Sequence, residues 1–203
     1  TLPNQLFLSK AAENNAESCL PVFHYFKSRL LIYPFLNQYN ESELERLFAM
    51  RLASDPDSIF SRRMSTLICA LDTGIQSITA RETDWKNAPL PPYLPVDLRS
   101  RVQENYKYEI KTIHNLYDEN NSIIGTAEFD LSEESVGTRT LLPLAGIILE
   151  SLERGSVLVI DEFEKNLHPL IVAYLIKLFS TQLTNPNNAQ LLFATHDISQ
   201  LHD

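Results

Sequence analysis

Two short apolar runs near the end of the chain, each followed by ionisable residues, constrain the fold more than any other feature of the sequence. Residues 157–160 (Val-Leu-Val-Ile) precede an Asp-Glu pair, and residues 191–194 (Leu-Leu-Phe-Ala) precede Thr-His. Unbroken apolar runs of this length are typical of strands buried on both faces of a sheet. Residues 169–183 between them have leucines at helical spacing. Strand, helix and strand in this order predict a βαβ crossover, and therefore a parallel sheet.

The polar residues that follow these two runs are the first candidates for a functional site. Ligands of open parallel sheets bind at the carboxyl ends of the strands, where Asp161, Glu162 and His196 are expected. Four apolar residues followed by Asp-Glu match the Walker B pattern. In that pattern the Asp orders a hydrated Mg²⁺ on nucleotide phosphates, and the Glu holds a water and accepts its proton. The alternatives are two acids that start a surface turn and a structural histidine.

A second candidate site precedes the helix predicted over residues 137–154. Ser135 and Gly137 lie at its N-terminus, where unpaired N–H groups and the helix dipole favour an anion. The alternative is that Ser135 only caps the helix. Pro143 is expected in the first turn, where proline is tolerated, and Gly155 closes the helix.

The glycines of the chain do not form a phosphate-binding loop. Gly74, Gly125, Gly137, Gly146 and Gly155 are its five glycines, and none belongs to a G-x-x-x-x-G-K-[ST] motif. If the chain belongs to an ATPase, we expect the lobe with that loop to lie N-terminal to Thr1.

The rest of the chain divides into three zones with different sequence patterns. Residues 1–81 carry apolar stripes at helical spacing and predict helices. Residues 82–104 contain four clustered prolines and predict a connector, or a loop that binds a partner through Trp85 and Tyr93. Residues 105–131 alternate around a turn cluster and predict a hairpin, with His114 on its first strand and no role assigned to it. The clustered prolines are Pro89, Pro91, Pro92 and Pro95.

Composition excludes several classes of protein. No apolar stretch reaches the length of a membrane span, and no signal peptide is visible. The 2 cysteines exclude a disulfide scaffold and a four-cysteine zinc site. A cytoplasmic protein is the simplest interpretation. The net charge of −9 argues against a surface that binds nucleic acid throughout.

Four segments, in order, resemble the motifs of ABC-type ATPases. They look like the signature motif, Walker B, the D-loop and the switch histidine, and they are residues 134–139, 157–162, 164–169 and 193–197. A signature of the form E-S-x-G-T and a D-loop ending in Leu-His-Pro are similar to the OLD-like branch, which includes abortive-infection (anti-phage) ATPases. The resemblance implies a P-loop NTPase (ABC ATPase-like) α/β fold, with a parallel-sheet lobe over residues 105–203. Residues 1–104 would then be an inserted, mainly helical arm with its proline-rich connector.

The resemblance also implies a role for each matching residue. Asp161 would orient Mg²⁺, Glu162 would be the general base, and His196 would contact the γ-phosphate. Because ABC-type sites form across a head-to-tail homodimer, the signature residues would contact the ATP of the other subunit. The D-loop would cross the same interface. The signature residues are Ser135, Gly137 and Thr138, and the D-loop residues are Asn166 to His168.

Two positions depart from the transporter pattern. His168 stands where transporters have aspartate, which agrees with the OLD-like branch. Val136 stands where a glycine is usual, and its β-branched side chain would leave less space for a phosphate beside this part of the signature.

These implications lead to one main functional hypothesis and two alternatives. The main hypothesis is a cytoplasmic ATPase that controls an effector nuclease or toxin in phage defence. DNA or a phage component would trigger it, and the 203 residues alone would be inactive. One alternative is the ATPase part of an OLD-type nuclease, with a nuclease domain after Asp203. The other is an ATP-gated scaffold on DNA, against which the lack of sustained heptads in residues 1–81 counts.

Overall fold

The computed structural model describes residues 6–33, 41–71, 74–86 and 90–196. Its helices are α1 (Phe7–Glu13), α2 (Leu20–Arg29), α3 (Glu41–Ser54), α4 (Ile59–Ala70), α5 (Val96–Asn105), α6 (Val136–Arg154) and α7 (Pro169–Ser180). Its strands are β1 (Leu30–Tyr33), β2 (Ile75–Glu82), β3 (Tyr108–Tyr117), β4 (Ile123–Asp130), β5 (Val157–Ile160) and β6 (Gln190–Phe193). A single 3₁₀ turn at Leu131–Glu133 joins β4 to the loop before α6.

The predicted parallel sheet is present, with β5 between β1 and β6. Both pairings are parallel, and Ile160 lies opposite Tyr33 on one side and Phe193 on the other. Leu158 and Ile160 are buried, as a central strand requires. The carboxyl ends of β5 and β6 therefore lie side by side at one edge of the sheet. The βαβ prediction is confirmed.

The third strand of this sheet corrects the prediction that residues 1–81 are only helical. Helix α2 stops at Arg29, and the next four residues continue directly as β1. No glycine or proline separates the two elements, so an apolar run (Leu-Leu-Ile-Tyr) could be assigned to the end of the helix. Pairing with β5 decides in favour of the strand, because tertiary contacts override a weak local preference. Strand β2 is a second exception to the helical prediction in this zone.

The second sheet is antiparallel and contains the predicted hairpin. Its order is β2-β3-β4, and Lys111 of β3 lies opposite both Thr79 and Asp130. The turn between β3 and β4 is held by Asp118, whose carboxylate accepts backbone hydrogen bonds from Asn120 and Ser122, each 2.8 Å long. The hairpin prediction is confirmed.

Helices α3 and α4 pack on this antiparallel sheet. The predicted apolar stripe of α4 is buried, and Phe60 stacks on Phe48 of α3 at a ring-centroid distance of 5.9 Å. The α4 stripe consists of Phe60, Met64, Leu67 and Ile68, with Leu71 just after the helix. Close packing extends to α6, because a Cβ built on Gly146 would lie only 2.4 Å from Cε2 of Phe48.

The chain forms two compact units. We call them the parallel-sheet unit (Thr1–Pro34, Glu150–Lys165 and Val172–Asp203) and the hairpin-sheet unit (Phe35–Leu149 and Asn166–Ile171). This arrangement differs from the expected division at residue 104. Strand β1 belongs with β5, and β2 pairs with β3 across the expected boundary.

Two proline predictions are corrected. Residues 96–104, expected in an exposed connector, belong to α5, which starts directly after Pro95. Pro95 is its N-cap, with a ψ of 144°, and its carbonyl accepts the N–H of Arg99 (2.8 Å). Pro143 lies inside α6 and not in its first turn. It has no N–H, so the carbonyl of Arg139 receives no helical hydrogen bond from it. Pro89 lies outside the described residues.

Candidate functional site

The acid pair Asp161 and Glu162 stands where the sequence predicted it, directly after the central strand β5. The N–H of Asp161 donates to the carbonyl of Tyr33 (3.1 Å), which extends the pairing of β5 with β1 by one residue. Asp161 Oδ1 then accepts the N–H of Glu162 at 3.1 Å. Both side chains are exposed. The strand thus ends in two accessible carboxylates: that of Asp161, whose Oδ1 accepts the N–H of Glu162, and that of Glu162, whose Oε2 lies 3.6 Å from Nζ of Lys165.

Glu162 has a left-handed backbone conformation, with φ at 50°. A residue with a Cβ adopts this left-handed backbone conformation at a cost of about 1–2 kcal/mol. The turn that requires it is closed by the N–H of Lys165, which donates to the carbonyl of Glu162 (3.0 Å). A glutamate kept in a conformation that glycine fills more easily is a feature of functional sites.

Phe163 fixes this turn to the end of the neighbouring strand. Its N–H donates to the carbonyl of Ala194 (3.1 Å), and its buried ring lies 5.4 Å from that of Phe193. The segments that follow β5 and β6 are therefore held together by both main chain and side chain.

Glu164 is a site residue to which the sequence reasoning assigned no role. Its Oε1 accepts the backbone N–H of His196 at 2.7 Å. This hydrogen bond is the main cause that lowers the pKa of Glu164 below its usual value, and Thr195 adds to it. His196 is exposed, and its contact with a phosphate stays a prediction. Asp197, the last residue of the proposed switch motif, lies outside the described residues.

The signature segment lies in the hairpin-sheet unit. Ser135 Oγ accepts the N–H of Thr138 at 3.1 Å, and the two hydroxyls are 2.9 Å apart. Ser135 therefore caps α6, as the structural alternative for this residue predicted. Thr138 is buried, whereas Val136 is exposed. A nucleotide contact by this segment stays a prediction.

The D-loop lies against the signature within the same unit. A Cβ built on Gly137 would lie 3.2 Å from the carbonyl oxygen of Asn166, which explains why a residue without a side chain occupies this position. Asn166 has a φ of 60°, a conformation that asparagine tolerates better than most residues. His168 caps α7, because its Nδ1 accepts the N–H of Leu170 at 3.3 Å.

The predicted site residues fall into two groups. Asp161, Glu162 and His196 follow neighbouring strand ends of the parallel-sheet unit, joined there by Glu164. The second group belongs to the hairpin-sheet unit and consists of Ser135, Gly137, Thr138, Asn166 and His168. The anchor residues predicted for a partner also lie in the second unit. Trp85 lines a cavity of about 350 Å³ with Tyr106 and Tyr108, and Tyr93 is 85% exposed.

The donor set fits a nucleotide-borne Mg²⁺ better than a permanent metal site. Among the described residues, no group of three or more His, Cys, Asp or Glu side chains is placed to hold a metal ion. Mg²⁺ takes one or two protein carboxylates and completes its coordination with waters and phosphates. The exposed Asp161 carboxylate, with one oxygen left after its bond to the N–H of Glu162, supplies what such an ion needs from a protein.

The α/β architecture with its parallel sheet is of the P-loop NTPase-like class, and the family that matches the chain is an ATPase type of domain. A protein-family comparison matches residues 39–201 to the family described as an AAA domain of the AbiEii toxin type, type IV TA system, and the chain belongs to this family. No curated protein matches the chain. In the parts of the chain that the structure describes, no helix has both the length and the apolarity to cross a membrane.

Proposed function

We propose that this chain supplies the hydrolytic acid pair and the signature helix of a cytoplasmic ATPase of the OLD-like kind, whose two copies close head to tail around ATP and Mg²⁺. The observation that carries the proposal is the Asp161–Glu162 pair at the end of β5, joined through Glu164 to the segment that follows β6. Of the described non-glycine residues with a positive φ, Glu162 is the one that is not an asparagine, and this conformation supports a functional role for its carboxylate.

The residues of the first group divide the chemistry between them. Asp161 would hold the hydrated Mg²⁺ that neutralises the phosphate oxygens. Glu162 would orient a water and accept its proton while the water oxygen bonds to the terminal phosphorus and the bond from that phosphorus to the bridging oxygen breaks, which releases ADP and phosphate. His196 would donate a hydrogen bond to the terminal phosphate, from a loop that Glu164 fixes.

The residues of the second group would act on the nucleotide of the other copy. The first turn of α6 has N–H groups without a helical partner; Ser135 Oγ accepts that of Thr138, and beside the others the helix dipole would favour an anion. Asn166 and His168 would cross the same interface. The sequence contains no G-x-x-x-x-G-K-[ST] motif, so we propose that a lobe N-terminal to Thr1 provides the phosphate-binding loop and that residues 1–203 alone are inactive.

The biological role we propose is control of an effector in phage defence. It rests on the family, whose description names a toxin of a type IV toxin–antitoxin system. ATP-driven closing and hydrolysis would then set whether an associated nuclease or toxin is active. DNA or a phage component would be the trigger.

The test is ATP hydrolysis and native mass of the protein that contains this chain with its phosphate-binding loop, compared with Glu162→Gln. We expect Glu162→Gln to lower the hydrolysis rate by about 10²-fold or more and to accumulate an ATP-dependent dimer. The matched control is Glu104→Gln, an exposed glutamate of α5, which should behave like the parent protein.

Two other results would favour the alternatives. Hydrolysis by Glu162→Gln at the parental rate would remove Glu162 as general base. Absence of both hydrolysis and an ATP-dependent mass change, together with DNA binding that weakens as salt rises, would favour the scaffold on DNA. Cleavage of DNA by the intact protein would favour the OLD-type nuclease.

A further inference from the structure

The carboxylate of Glu134, the residue just before the cap of α6, is almost buried and is held by two side chains of β3. Only 10% of its side chain is exposed, and its Oε1 lies 2.7 Å from Nε2 of His114. The hydroxyl of Thr112 donates to the same oxygen. Because a carboxylate only accepts hydrogen bonds, Nε2 of His114 carries the proton.

Burying a charged group without partners is unfavourable, so this carboxylate depends on its two donors. Thr112 is fully buried. The ring of His114 packs against that of Phe129 in a T-shaped arrangement, at a centroid distance of 5.1 Å. Both donors project from the middle of β3, which pairs with strands on both sides. Glu134 is therefore tied to the most constrained part of the antiparallel sheet.

The chain passes directly from Glu134 into the signature. The N–H of Glu134 donates to Leu131 (3.2 Å), and the turn before it is closed by a reciprocal pair of bonds between Asp130 and Glu133. Ser135 follows at once and caps α6. A displacement of Glu134 must therefore move Ser135, since one peptide unit separates them and the helix beyond is rigid.

We propose that Thr112 and His114 are positioning residues that set the signature segment 134–138 through Glu134, and that the hairpin β3–β4 thereby controls the composite ATP site. This inference rests on the proposed function, because it concerns the half of the site that would act on the other copy's nucleotide. An event that shifts the hairpin would release Glu134 and disturb the signature without touching Asp161 or Glu162.

The experiment uses the Glu162→Gln protein, in which the ATP-dependent dimer accumulates, with Thr112→Val or Glu134→Ala added. We expect faster amide hydrogen exchange over residues 135–139 without nucleotide, and an ATP-dependent dimer weakened by about tenfold or more. Binding of ATP to the monomer should not change. The matched control is Thr126→Val, the same change at an exposed position of β4, which should leave exchange and dimer unaltered.

Glu134→Gln serves as the conservative variant, because its carbonyl oxygen still accepts from Thr112 and His114. It should retain more of the dimer than Glu134→Ala. Unchanged exchange over 135–139 in Thr112→Val and Glu134→Ala, or an unweakened dimer despite faster exchange, would overturn the inference while leaving the proposed function intact. Failure of the Glu162→Gln protein itself to dimerise with ATP would overturn both, and it would be seen before any variant is added.

Discussion

Glu164 Oε1 accepts the backbone N–H of His196 at 2.7 Å, and so the residue that follows the acid pair fixes the loop of the switch histidine. The bond is charge-assisted, a kind that is worth about twice a neutral one. It joins the segments after two neighbouring parallel strands, where main-chain groups no longer pair regularly. The position of His196 therefore depends on Glu164 as well as on β6.

Two substitutions of Glu164 should show whether it acts on ATP hydrolysis by positioning the loop of His196 or by its charge. We expect Glu164→Ala to lower the rate of ATP hydrolysis at saturating ATP by about tenfold, because His196 loses its main-chain anchor. Glu164→Gln, which keeps an acceptor oxygen, should lose less. Steady-state kinetics of the two variants in the intact protein measure this difference. Equal losses in both variants would assign the effect to charge and not to position.

The same bond predicts a dependence of stability on pH. The hydrogen bond from His196 lowers the pKa of Glu164 in the folded protein below 4.5. The carboxylate therefore stabilises the fold above pH 4.5, and this stabilisation is lost as the pH falls through the lowered pKa. We expect the parent protein to exceed Glu164→Gln in free energy of unfolding at pH 7, with the difference shrinking towards pH 3. Denaturant titrations at both values would show a constant difference if the carboxylate charge plays no part.

The left-handed turn at Glu162 can be tested with two substitutions that both remove the carboxylate. Glycine adopts a φ of 50° without the Cβ clash, so Glu162→Gly should be more stable than Glu162→Ala by about 0.5–1 kcal/mol, although both should lose hydrolysis. Thermal unfolding gives the comparison. The control is Lys165, whose φ is not positive, where the order should reverse and alanine should be the more stable.

The contact between signature and D-loop predicts a variant that folds but does not associate. In Gly137→Ala, the added Cβ would lie 3.2 Å from the carbonyl oxygen of Asn166 and would displace the D-loop by a few tenths of an ångström. We expect an ATP-dependent dimer weakened by about tenfold, with a free energy of unfolding within about 1 kcal/mol of the parent, since alanine favours the helix. Gly125→Ala, which meets nothing within 4 Å, is the control and should dimerise normally.

The sequence was sufficient for elements whose signal is local. The runs that became β5 and β6 are apolar and bounded, and the βαβ prediction needed no other information. Strand β1 was missed because nothing separates it from α2. Helix α5 is hidden in the sequence because the clustered prolines that exclude a helix end at Pro95, directly before its first residue.

Two site residues were missed for a different reason. Glu134 and Glu164 lie inside the signature and D-loop segments. The sequence around an acid, however, does not show which distant hydrogen-bond donors the fold will place next to it. The donors to Glu134 come from residues 112 and 114, and the donor to Glu164 is a main-chain N–H at residue 196. Only the pairing of distant strands shows that these carboxylates hold loops in place.

The close packing of α6 against Phe48 predicts that Gly146→Ala destabilises the protein, and a double variant with Phe48→Leu tests the cause. In Gly146→Ala, the new Cβ would lie 2.4 Å from Cε2 of a ring that is buried and stacked on Phe60. Overpacking of this kind costs about 1–3 kcal/mol, more than the helix gains from alanine. We therefore expect Gly146→Ala to lower the free energy of unfolding by about 1–2 kcal/mol.

Phe48→Leu should relieve the clash, because leucine is smaller than the ring that the new methyl group meets. Each single change destabilises the hairpin-sheet unit, yet the double variant should be more stable than the sum of the two losses predicts, by about 0.5 kcal/mol or more. Denaturant unfolding of the four proteins in the cycle measures this coupling. Pairing Phe48→Leu with Gly125→Ala should give additive losses, since nothing lies near that glycine. Additivity at Gly146 as well would mean that the helix moves away from Phe48 and that their contact does not limit packing.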